Sequence, residues 1–215
     1  MTKTYSFLFL FLFFVSCGKG GDGNQSNSET ELTELTEAEI ISGVVPVQAQ
    51  TFDINAELSG FSRNQEDKVL KAFDLIKRVI ATDEFRNKVL SKKYAGKNKF
   101  VDNDGLTNAQ IYKKILQGSE LLNPTKNNVM DLHLKTYFEE KNVIGYTMPS
   151  IKTIYLNSRY LNMDKFEINE VAMNLTHEWL HKLGFKHAVK VTPSRPHSVP
   201  YAIGYIMREL AGRIN

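Results

Sequence analysis

The spacing of apolar and polar residues divides the chain into stretches of different character. Tyr5 to Val15 is an apolar run interrupted only by Ser6, and from Gly18 to about Gln50 large apolar side chains are scarce. Between about Asn64 and Tyr94, the residues Val69, Leu70, Phe73, Ile76, Val79 and Ile80 recur at helical spacing. That recurrence predicts a long helix with one buried face. Val129 to Tyr137 alternates apolar with polar positions, as does Thr153 to Asn157, and both read as strands. Ile168, Val171, Ala172, Leu175, Trp179, Leu180 and Leu183 return to helical spacing. Asn162 or Asp164 is placed to cap the start of that second helix, and Gly184 follows its last periodic residue. The coarse order is helix, mixed middle, strand, helix, loop.

The second helix carries the chemistry. At about 100° per residue, His177 and His181 fall roughly opposite the centre of its apolar stripe, so the stripe faces a core and the histidines a cleft. They are one turn apart and leave the same face, which lets both imidazoles grip one ion. Glu178 lies between them, within reach of a metal-bound water. Gly184 suits the left-handed conformation that ends helices, after which the chain can turn back and present His187 as a third nitrogen ligand. Three protein ligands leave a fourth tetrahedral position for water, the arrangement of catalytic zinc rather than structural zinc.

Residues 177 to 187, His-Glu-Trp-Leu-His-Lys-Leu-Gly-Phe-Lys-His, match the pattern H-E-x-x-H-x-x-G-x-x-H. In this the chain resembles the metzincin clan of zinc metallopeptidases. Requiring the later Gly and His lowers the chance rate of the shorter H-E-x-x-H motif by roughly a thousandfold. The resemblance implies an α+β single domain: a twisted mixed sheet, a long backing helix, an active-site helix, and a small C-terminal subdomain after Gly184. It also implies a tight turn holding a methionine beneath the metal. Met207 is the only methionine after His187, and Gly204 shortly before it suits a turn. A strand before the active-site helix should form the sheet edge and bound the cleft, which falls on Ile154, Tyr155, Leu156 and Asn157. His197, in Pro-Ser-Arg-Pro-His-Ser-Val-Pro, and Tyr205 fall where the far wall of the cleft should form. Two features depart from the named branches: Ala188 follows the third histidine, and no tyrosine lies two positions after Met207.

The N-terminus adds a location. Met-Thr-Lys-Thr before the apolar run has the layout of a secretory signal peptide, and the run is too short to span a bilayer. Phe14-Val15-Ser16-Cys17 resembles a bacterial lipobox. Cys17 is the only cysteine, so it forms no intramolecular disulfide and offers no cysteine-switch latency near the zinc. Acylation there would hold the protein at a membrane surface. Gly18 in place of an aspartate favours the outer membrane or cell surface by resemblance to the enteric sorting rule. The expected organisation is a signal peptide over 1–16, a lipidated N-terminus and flexible acidic tether over 17–57, and a metallopeptidase domain over 58–215. A short propeptide is the rival reading of the tether.

Charge follows the same division. Residues 18 to 57 carry a net −7 and residues 58 to 215 a net +9, against +3 for the whole chain. A basic domain favours acidic substrates, anionic surfaces or its own tether, and no nucleic-acid motif accompanies it. Phe100 to Leu106 resembles a calcium loop but lacks the twelve-residue acid pattern, so calcium is unsupported there and a turn is expected. His133, in an alternating strand, reads as structural or exposed. The function these features imply is a membrane-anchored, monomeric zinc endopeptidase acting on peptide or protein, with Glu178 as general base. The alternatives are a catalytically silent zinc-containing binding lipoprotein and a zinc amidase acting on cell-wall peptides.

Overall fold

The computed structural model describes residues 51–214; the apolar run, Cys17 and the tether as far as residue 50 lie outside the described residues. Strand β1 runs Asp53–Ser59, with Ile54, Ala56 and Leu58 packed on the core and the polar residues between them facing out. The strand spans the boundary expected at residue 57. Three small or aliphatic residues alternating with polar ones fit a strand only when a neighbour supplies the ladder.

That neighbour is β2 (Val129–Tyr137), which pairs with β1 in parallel. β4 (Thr153–Asn157) adds to β2 in parallel, and β3 (Gly145–Thr147) runs antiparallel along the far side of β4. The order is β1-β2-β4-β3, a mixed sheet in an α+β fold. Both alternating segments form strands with the bounds their pattern predicts. Met130, Leu132, Leu134, Ile154 and Leu156 are buried on the inner face, and Leu134 stands in register with Leu58 on one side and Ile154 on the other. β4 is consequently an interior strand. The edge expected at Ile154–Asn157 is instead β3, whose three residues are too few to show a period.

Helix α1 (Arg63–Ile80) backs the sheet. Ser62 and Gln65 cap it reciprocally, and the Gln65 amide continues to Asn162 Oδ1 at 2.8 Å. Its apolar stripe is buried as predicted, except that Leu70 is 54% exposed. The helical pattern through Tyr94 breaks at Thr82, whose hydroxyl donates to the Val79 carbonyl and accepts from Phe85 N, starting α2 (Asp83–Leu90). α3 is Asn108–Gln117, and α4 is a single turn, Ser158–Leu161. Between α2 and α3, Phe100 to Leu106 forms the expected turn, held by the Asn103 side chain on Gly105 N and Leu106 O.

Helix α5 (Ile168–Lys182) follows without the predicted cap: its first flanking residue is Glu167, which makes no side-chain capping bond. Lys68 of α1 instead gathers the carbonyls of Leu161, Met163 and Phe166 at 2.9, 3.2 and 3.1 Å and so fixes the approach to α5. After a 3-10 turn at Arg195–His197, α6 (Val199–Ile214) packs on α5, α1 and α2. Val199, Ala202, Ile203, Met207, Leu210 and Ala211 of α6 enter the same core as the sheet. No separate subdomain forms after Gly184, because these residues make one helical stripe that the main core absorbs. Among the described residues no helix is long and apolar enough to cross a membrane.

Candidate metal centre

The site is built on the end of α5. Trp179 and Leu180 are fully buried, and Trp179 meets Phe52 edge-on at 5.9 Å between ring centroids. The indole N–H donates to Glu120 Oε1 at 2.5 Å. With that side of the helix locked, His177 and His181 emerge together on another, their ring centroids 5.1 Å apart. The helix stops as the sequence requires. Gly184 has φ +100°, a region that penalises any residue with a Cβ. Phe185 N donates to Leu180 O and Gly184 N to His181 O, both at 3.1 Å. These two bonds define the Schellman ending of a helix, with Phe185 as the apolar residue beyond the glycine.

The reversal returns His187 to the helix, 5.1 Å from the His177 ring and 4.9 Å from the His181 ring. The three histidines have candidate donor atoms all within 4.8 Å of one another and could hold a metal ion. Their surroundings fit that role. His181 Nδ1 bonds the Phe185 carbonyl at 2.7 Å, and His187 Nδ1 bonds the Ala188 carbonyl at 3.0 Å. A carbonyl can only accept, so the engaged nitrogen carries the proton and the other presents its lone pair. Burial, reinforced by its histidine neighbours, pushes His177 down to about 3, and burial pushes His181 down to about 4. Both rings are therefore neutral at physiological pH, the form that binds metal.

Glu178 is buried beside the triad. Burial raises its carboxyl to about 8, opposed by the charge of Lys182 one turn along α5. Lys182 is itself buried, and its ammonium holds the Met148 carbonyl at 3.0 Å and the Ile151 carbonyl at 2.5 Å. The loop joining β3 to β4 is thereby tied to the helix that carries the histidines. Edge strand β3 lies close by: a Cβ on Gly145 would come within 2.6 Å of Asn174 Oδ1 on α5. The absent side chain lets strand and helix approach.

The other residues singled out in the sequence divide. Ile154 and Leu156 are buried in the core under the sheet, and Tyr155 stacks on Tyr146 at 4.9 Å on the outer face. Asn157 is buried and structural: its side chain caps α4 and holds the Glu139 and Val143 carbonyls. His197 meets Tyr94 with tilted rings, centroids 5.0 Å apart, away from the triad contacts, and His133 pairs with Glu57 across β1 and β2 at 2.8 Å. Met207 is buried within α6, so the expected methionine turn is a continuous helix. Gly204 lies inside that helix, where a Cβ would meet only ordinary contacts, 3.4 Å from Met173 O and 3.6 Å from His177 Cβ. Tyr205 is 39% exposed on α6 and reaches the site only through Tyr201, 6.0 Å away.

Tyr201 was not singled out by the sequence, yet it stands against two of the three histidines. Its ring centroid is 4.5 Å from that of His177 and 4.7 Å from that of His187. The only signal for it was its place early in a helical stripe downstream of His187, which the expectation of a turn obscured. Comparison with family models, with curated proteins and with solved structures finds no match for this chain. Fold and site therefore define a class from their own features: an α+β protein whose three-histidine cluster can hold a metal ion beside a buried glutamate.

Proposed function

We propose that the chain is a metzincin-like, zinc-dependent endopeptidase. The observation that carries this reading is the three-histidine cluster, two of its rings held by backbone carbonyls, with Glu178 buried next to His177 on the helix. Three imidazoles suit zinc, and the motif leaves a coordination position for water. When bound, zinc supplies Lewis acidity, lowering the pKa of water and polarising a carbonyl. The chain's own residues do the rest. Glu178 takes the proton from the attacking water and returns it to the leaving amine. His177, His181 and His187 hold the ion. The extended substrate pairs with the open edge of β3 rather than with Ile154–Asn157. Export and an acyl anchor on Cys17 complete the proposal and place it at the outer membrane or cell surface.

Zinc content and cleavage of a denatured protein, measured on the same preparations of wild type and Glu178→Ala, test the reading. One zinc in each, with cleavage by wild type alone, is the expected result. Equal cleavage by both overturns the mechanism. Zinc in both with cleavage by neither would transfer the assignment to a binding lipoprotein, and activity confined to cell-wall peptides would transfer it to an amidase.

A further inference from the structure

Tyr201 has more around it than its ring contacts require. The Arg195 guanidinium lies 4.8 Å from the ring centroid and donates through a terminal nitrogen to the phenol oxygen. Arginine has donors only, so in this bond the phenol oxygen must accept. The phenol's own proton is left to give, and among the described residues no protein group accepts it. Arg195 is fixed for the purpose: its backbone N–H donates to Thr192 O and Oγ1 at the start of the 3-10 turn. One short stretch of chain thus sets an unspent hydrogen-bond donor against two of the three histidines.

We propose that Tyr201, held by Arg195, donates a hydrogen bond to the carbonyl oxygen of the scissile bond as that oxygen gains negative charge. The proposal rests on the peptidase reading and extends it to a second catalytic residue. The water oxygen bonds to the carbonyl carbon, its proton passes to Glu178, and the carbonyl π pair moves onto oxygen. Tyr201 O–H stabilises that oxygen without losing its proton. The pair then returns, the carbon–nitrogen bond breaks, and Glu178 delivers its proton to the amine. Arg195 acts as a positioning residue: its charge next to the phenol strengthens the donor and holds the ring over His177 and His187. A purely structural Tyr201 would need only its ring.

Tyr201→Phe keeps the ring and removes the donor. In the full chain it should keep its zinc, hold KM within about twofold and lose on the order of 100-fold in kcat, the usual effect of one such donor. Tyr201→Ala, which also removes the ring, should weaken metal retention as well. A phenylalanine variant with kcat within about threefold of wild type overturns the proposal. A readout independent of turnover is acetohydroxamate binding to the cobalt(II)-loaded protein, followed by its visible spectrum. The spectrum without hydroxamate should be unchanged in Tyr201→Phe, while hydroxamate affinity falls about tenfold. Equal affinity in both proteins overturns the role of Tyr201 alone, whereas a wild type that takes up no cobalt overturns the peptidase reading and this proposal with it.

Discussion

Two buried carboxylates meet the same segment of α5 and are treated differently. Glu178 precedes Trp179 along the helix, and Glu120 reaches the Trp179 indole from the segment after α3. Each is 5% exposed, and burial pushes each toward its protonated form. Glu120 has one oxygen filled, by the Trp179 indole and by Asp131 N at 3.1 Å. Glu178 receives no protein hydrogen bond among the described residues and has only the charge of Lys182 as counterweight. For a similar desolvation cost, one acid locks the helix against the sheet and the other is left free to exchange a proton. Perturbed acidity alone would not tell them apart; the partners do.

Substitutions at the two acids should separate these roles most sharply. Glu178→Gln should retain zinc and lose about 10²- to 10⁴-fold in turnover, the range of a general base. Glu120→Gln should stay within about twofold of wild type in kcat/KM on the same peptide. Similar losses in both would erase the distinction. His181→Ala probes the ligand shell around Glu178, and should fail to retain zinc through dialysis that wild type survives.

Stability should rank the other way. Glu120→Ala leaves a buried indole N–H and the Asp131 N–H without acceptors, costing about 1–3 kcal/mol in chemical denaturation of the metal-free chain. Gly184→Ala places a Cβ at φ +100°, costing on the order of 1–3 kcal/mol and displacing His187, so it should weaken metal binding too. Unchanged metal affinity in that variant would show that the turn does not set the third ligand.

A pH profile of the metal-free chain tests the same comparison. In the metal-free chain His177 and His181 titrate near 3 and 4, against 6.5 when unfolded, so the unfolded chain binds more protons in between. Stability from this source rises with pH up to about 6.5. Glu178 titrates near 8 against 4.5 unfolded, so its contribution is present below 4.5 and is lost as pH rises through 8. Lys182, lowered by burial to about 8, matters only above that value. Thermal unfolding should therefore show a maximum near pH 6.5 and a decline toward pH 8 that Glu178→Gln abolishes. A decline that persists in the variant would assign it to another group.

Much of this was legible in the residues, for a local reason. The two histidines one turn apart, the glutamate between them and the glycine that ends the helix act through neighbours in sequence, so spacing alone specifies them. β2 and β4 were legible because alternation over five to nine residues is a strong signal. β3 was not, since its three residues acquire meaning only beside β4 and Asn174. α6 carried a readable stripe through Val199, Ile203, Met207 and Leu210, but the family expectation of a methionine turn displaced it. Tyr201 and Glu120 depend on contacts across the fold, Glu120 meeting a partner 59 residues away. Periodicity contains no such information.

His181 and His187 owe their orientation to Phe185 and Ala188, and in each case to the main chain rather than a side chain. Every amino acid brings a carbonyl, so a replacement at 185 or 188 that preserves the local path keeps the acceptor. The outer support of the centre is in this sense written in backbone and is insulated from mutation. A lineage carrying it can exchange most of its side chains, including those by which kinship is detected, while the rings stay aimed at the same point.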